Sequence, residues 1–105
     1  MTTFDKREEA FEKRFALDEE GKFKAVARRN RMLGQWAAEK LGKSGGEADA
    51  YARDVVSAEF DGDDGVVRKV MADLAARGGA VTETDIRAKM GEFLAVAAAQ
   101  VKAGT

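Results

Sequence analysis

Apolar residues recur at helical spacing in four stretches of the chain, separated by glycine or aspartate. Over residues 22–41, Val26, Leu33, Trp36, Ala37 and Leu41 share one broad face, with arginines beside and opposite it. Gly42 stops that helix, and Gly45-Gly46 follow as a turn. Over 47–60, Ala48, Tyr51, Ala52, Val55, Val56 and Phe60 form an i, i+3, i+4 stripe. Asp61-Gly62-Asp63-Asp64 breaks the chain and offers carboxylates to cap the next helix. A third stripe, Val66, Val67, Val70, Met71 and Leu74, runs over about 64–77 and ends at Gly78-Gly79. Thr82 and Asp85 then have the spacing of a capping box. The helix they open extends to about 103, with Ile86, Met90, Phe93, Leu94, Ala97 and Val101 inward. Four amphipathic segments joined by short turns predict an all-α chain folded as a four-helix bundle over 21–105.

Residues 1–20 read differently. Phe4, Phe11 and Phe15 fall on one face of a helix, with Leu17 nearby and charges of both signs between them. So few apolar groups hold a segment weakly, and an isolated helix of this length is marginal in water. Gly21 follows, and glycine inside a helix costs about 1 kcal/mol relative to alanine. The pattern predicts a mobile or partly helical N-terminal segment joined to the bundle near Gly21, folding when a partner accepts its phenylalanine face. The alternative is a simple extension of the first bundle helix, with Phe15 and Phe23 packed on the core.

Composition supports the helical reading and narrows the chemistry. The 105 residues include no proline, no cysteine and no histidine, and 35% are charged. Without cysteine or histidine there is no disulfide framework, no common zinc-ligand set and none of the commonest acid–base or nucleophilic machinery. We therefore expect a binding protein and not an enzyme, with no cofactor. The N-terminus runs into charge, not an apolar signal stretch, and no apolar run is long enough to cross a bilayer. That predicts a cytoplasmic protein without membrane insertion. The formal net charge of −1 conceals an asymmetry. Residues 22–43 hold seven bases, among them Lys22, Lys24, Arg28, Arg29 and Arg31, against Glu39 alone. Residues 1–21 hold seven acids and four bases, and the remainder eleven acids and seven bases. The basic block is either a solvated face, an internal partner for the acidic segments, or a contact for an acidic surface.

Specific motifs fail on inspection. Gly42-Lys43-Ser44 echoes the end of a phosphate-binding loop, but Ala37 stands where that loop needs glycine and no strand precedes it. Weak nucleotide binding through Lys43 and nearby bases stays open. Asp61, Asp63 and Gly65 hint at a calcium loop, yet Val66 and Ala72 occupy its required glycine and glutamate positions. Glu8, Glu9 and Glu12 are interrupted by bases and lack a histidine, so no metal site is predicted. A pI near 5.5 and the lack of interleaved aromatics argue against nucleic acid as the partner.

The N-terminal half carries a more specific signal. Phe4-Asp5-Lys6-Arg7-Glu8-Glu9-Ala10-Phe11-Glu12, then Lys22-Phe23-Lys24-Ala25, Ala27-Arg28-Arg29-Asn30 and Leu33-Gly34-Gln35-Trp36-Ala37-Ala38-Glu39, resembles the bacterial ATPase inhibitor subunit zeta family. The likeness continues through Tyr51–Val56 and Asp61–Val70. It implies a four-helix bundle that binds the catalytic head of F-type ATP synthase, contacting alpha, beta and gamma subunits, and restrains ATP hydrolysis. It places the protein in the cytoplasm, peripheral to the membrane-bound synthase. In the family the N-terminal region enters a catalytic alpha/beta interface. Carried onto this chain, Phe4, Phe11 and Phe15 become anchors, while Lys6, Arg7, Glu8, Glu9, Lys13 and Arg14 set orientation. Lys22, Lys24, Arg28, Arg29 and Arg31 become secondary basic contacts. Gly21 departs from the family pattern, where a larger residue is more usual, and in this reading it loosens the segment from the body. The competing class is a helical adaptor or chaperone-like module that binds another protein through the bundle surface.

Overall fold

The computed structural model of the chain describes residues 14–105. These form four α-helices and one 3-10 turn, with no strand among the described residues: α1 (Glu19–Lys40), α2 (Gly45–Ser57), the 3-10 turn Ala58–Asp61, α3 (Gly62–Ala76) and α4 (Glu83–Ala103). The expected phenylalanine-faced segment lies outside the described residues except for its last positions, 14–20.

Local chemistry explains most boundaries. Asp18 precedes α1 in extended backbone, and its Oδ1 accepts the Gly21 N–H at 2.8 Å. Glu19 and Glu20 then face the positive end of the helix dipole. The break therefore falls at Ala16–Asp18, where Ala16 has φ 54°, and not at Gly21. Gly21 is buried in the first helical turn, so it is no loose joint. At the other end of α1, Gly42 takes φ 75° while the Lys43 and Gly42 N–H groups donate to Ala38 and Glu39 carbonyls at 2.9 and 3.1 Å. This paired closure needs a left-handed residue, which glycine adopts without a Cβ clash. Thr82 and Asp85 make the expected reciprocal box at 3.0 and 3.1 Å. The expected turn at Gly45-Gly46 is instead the first turn of α2. Asp61 occupies the cap position of α3 without a side-chain cap bond. Its neighbours Asp63 and Asp64 make ion pairs instead.

The long α1 packs against both α2 and α4, and α3 packs across the 3-10 turn and α4. Leu33, Ala37, Ala38 and Leu41 meet Tyr51 and Val55 from α2, the α3 valines with Leu74, and Ile86 and Met90 from α4. Leu33, Val55, Val66, Val70 and Ile86 are fully buried. Each stabilises the fold by about 1.5–3 kcal/mol relative to an exposed side chain. A second cluster, Leu17, Ala25, Ala97 and Ala98, joins the start of α1 to the end of α4, with Phe15 and Met32 packed against it. The α1–α2 crossing is close: a Cβ on Gly34 would lie 2.6 Å from the Ala52 Cα.

Two core expectations change. Phe60 closes the α2 stripe on paper, yet it is 95% exposed. The α-helix ends at Ser57, and the tighter 3-10 turn carries Phe60 away from the interior. Phe23, placed on the core in the helix-extension alternative, is 75% exposed. Trp36 is half-buried at the core edge, with the Lys40 ammonium 5.0 Å from its ring centroid.

Candidate partner-binding surface

The basic block of α1 does not act as one patch, because a 3.6-residue period distributes neighbouring bases around the helix. Arg29 points inward. Its side chain is 4% exposed, and its Nη2 donates to Glu59 at 2.9 Å and to Asp63 at 2.7 Å. Its Nε donates to Asn30 Oδ1 at 3.0 Å, and Asn30 Nδ2 donates to Glu59 at 2.8 Å. Arg29 is thus a structural cation tying α1 to the 3-10 turn and α3, which corrects its place among the surface contacts. Burial pushes Asp63 up, but the hydrogen bonds and charge of Arg29 outweigh it and hold the carboxyl below its ordinary value. Burial raises Glu59, and the Asp63 charge adds to that. Asn30 and Arg29 only partly compensate, so Glu59 sits above the usual range. The sequence signal for this cluster was the i, i+4 pair Glu59 and Asp63 opposite an arginine on an apolar face, which spacing alone does not separate from a surface pair.

The other bases stay nearer the solvent. Arg28 donates to Gln100 Oε1 at 3.3 Å and to the Thr105 main-chain oxygen at 2.8 Å, bracing α1 against the end of α4. Lys24 makes an exposed i, i+4 pair with Glu20 at 3.2 Å, a contact of little energetic weight. Lys22 is half-buried, and Arg31 is exposed. A groove of about 510 Å³ runs between α1 and α2, with Arg28 and Arg31 on one wall and Arg53 on the other. Arg53 was not among the predicted contacts. It belongs to the α2 stripe of Asp49, Arg53 and Val56, a pattern visible in sequence but indistinguishable there from an ordinary solvated face.

Of the predicted anchors, Phe4, Lys6, Arg7, Glu8, Glu9, Phe11 and Lys13 lie outside the described residues. Arg14 is exposed, its guanidinium carbon 4.8 Å from the Phe15 ring centroid. Phe15 is half-buried against the second core cluster, so the fold already uses part of it. Polar ties hold the far side. The Tyr51 hydroxyl donates to Asp73 at 2.8 Å, and Lys69 donates to the same carboxylate oxygen at 3.1 Å. Burial, then that hydrogen bond, pushes Tyr51 well above its ordinary range, so it stays a neutral donor. Among the described residues no group of three or more acidic, histidine or cysteine side chains is placed to hold a metal. No described helix is long and apolar enough to cross a membrane.

The described residues form a closed helical body with an arginine-lined groove between its first two helices. The chain belongs to the ATPase inhibitor subunit zeta family, whose sequence model matches residues 1–100. A solved structure, determined by solution NMR, is similar at 49% sequence identity and a TM-score of 0.68. The match covers 79% of this chain and 96% of that one. No curated protein matches the sequence.

Proposed function

We propose that this chain inhibits ATP hydrolysis by F-type ATP synthase, without chemistry of its own, from the cytoplasmic side of the membrane. In this reading the part of the N-terminal segment ahead of Phe15 enters a catalytic alpha/beta interface of the head and meets the central rotor. Residues 21–105 act as a four-helix-bundle body that carries it. The observation that bears most weight is the extent of the family match, which takes in residues 1–20 together with the helical body. Phe4 and Phe11 are the anchors on the partner, each worth about 1.5–3 kcal/mol when fully buried. Lys6, Arg7, Glu8, Glu9, Lys13 and Arg14 set register through complementary charge. Phe15 and Leu17 hold the segment to the body through the second core cluster, so we assign Phe15 to the joint more than to the partner. A wedge that fits one rotor state blocks one direction of rotation by steric conflict.

The test is steady-state ATP hydrolysis by the isolated catalytic head, titrated with the full chain and with a variant lacking residues 1–13. That deletion leaves Phe15, Leu17 and the α1 cap in place. The full chain should inhibit, and the truncated chain should lose inhibition at any concentration where the full chain saturates. Equal half-maximal concentrations for the two proteins would refute the wedge.

A further inference from the structure

We propose that the groove between α1 and α2 is a second docking surface, which seats an acidic amphipathic helix of the partner. The reading rests on the inhibitor role above, because the catalytic head supplies that partner. Ala27 and Val56 give the groove apolar floor, and Arg28, Arg31 and Arg53 supply three cations against the single carboxylate of Asp49. Arg31 and Arg53 are exposed, and neither makes a hydrogen bond or ion pair among the described residues. Their charge is therefore unpaired among the described residues.

The two most exposed large apolar side chains lie close in sequence to the residues that line this groove. Phe23, 75% exposed, lies one helical turn before Ala27 on the same face of α1. Phe60, 95% exposed, stands in the 3-10 turn that directly follows Ser57, the last lining residue of α2. α1 and α2 run antiparallel through the short turn at 41–44, with Gly34 against Ala52, so the start of α1 and the end of α2 share one end of the pair. The result is an apolar floor, arginines along its walls, and an exposed aromatic side chain beyond the lining on each of the two chain segments. Clustered exposed aromatics and arginines are the residue types that dominate binding energy at interfaces. Excess positive charge in the groove selects an acidic partner, and a groove between two helices fits the apolar stripe of a third. The body would then hold the head independently of residues 1–20, and two linked contacts bind more tightly than either alone.

The experiment uses the full chain with two paired variants, Arg31→Glu with Arg53→Glu and Phe23→Ser with Phe60→Ser. Binding to the isolated catalytic head is measured at low and high salt. All four side chains are exposed, so melting temperatures should stay within about 4 °C of wild type. Each pair should weaken binding by about tenfold or more. The arginine deficit should shrink as salt rises, and the phenylalanine deficit should persist. Wild-type binding that both pairs leave unchanged overturns the groove alone. Absence of wild-type binding overturns the inhibitor reading and the groove with it. A loss confined to the arginine pair, reversed by free polyphosphate, would mean a small-anion site and overturn the helix-docking proposal.

Discussion

Replacing Arg29 with methionine keeps a long apolar stem but removes the guanidinium that donates to Glu59, Asp63 and Asn30. Two carboxylates are then left facing each other, and a fully buried Asn30 oxygen loses its donor. Orphaning a fully buried charge costs about 3–5 kcal/mol. Here the Glu59 and Asp63 side chains are 29% and 53% exposed, so water solvates part of the orphaned charge. We expect a net loss of about 2–3 kcal/mol, to which the unpaired amide oxygen contributes about 1 kcal/mol. For a chain of this size that is a fall in melting temperature of roughly 10–20 °C. Urea unfolding followed by far-ultraviolet circular dichroism measures it directly. Adding Glu59→Gln to the methionine variant should recover part of the loss, since it removes one of the two facing charges. In wild type, losing the Arg29–Glu59 pair and relieving the Glu59–Asp63 repulsion work against each other, so the same change should register less gain. A methionine variant within about 0.5 kcal/mol of wild type, the ordinary range for a surface change, would refute the structural role assigned to Arg29.

The same cluster predicts the pH dependence of stability. Glu59 titrates higher folded than unfolded, so the native state binds more protons above the ordinary glutamate range, and stability rises as pH falls from neutral through that window. Asp63 and Asp85 are held below their ordinary values, so their contribution is present above the unfolded aspartate range and is lost as pH falls through their folded values. Unfolding free energy should therefore pass through a maximum on the acid side of neutrality, and Glu59→Gln should flatten its neutral limb. A monotonic fall from neutral pH in wild type would contradict the raised Glu59. Separately, Gly34→Ala should destabilise by about 1–3 kcal/mol despite the better helix propensity of alanine, because its methyl group meets Ala52 backbone across the α1–α2 crossing. Thermal unfolding checks this, and a stabilised variant would show that the crossing is looser than the structure has it.

Much of the architecture was legible in the residue pattern. The stripes over Leu33–Leu41, Tyr51–Val55, Val66–Leu74 and Ile86–Ala97 are buried where periodicity places them, and Gly42 and the Thr82–Asp85 box end and begin helices through local backbone chemistry. Errors cluster where geometry departs from the ideal helix or where partners are distant in sequence. Phe60 fails because four residues of 3-10 turn replace the last helical turn of α2. Ala25 lies outside the α1 stripe and is fully buried because it meets Ala97 and Ala98 of α4, partners distant in sequence. The candidate site was legible in part. The basic character of α1 is plain in the sequence, but its division into an interior Arg29, a bracing Arg28 and an outward Arg31 is not.

Sequence by itself determined what depends on neighbours along the chain: helix periods, caps, glycine stops, and the absence of cysteine and histidine, which removes the commonest catalytic chemistry. These are local because backbone sterics and hydrogen bonding act over a few residues. The tertiary structure decided what depends on residues brought together from far apart. It matched Arg29 to two carboxylates some thirty positions away, turned Phe23 and Phe60 outward, and set Arg31 and Arg53 along one groove. Whether a charged or aromatic side chain is a core element or an exposed contact is settled by desolvation in three dimensions, and a one-dimensional pattern contains no measure of it.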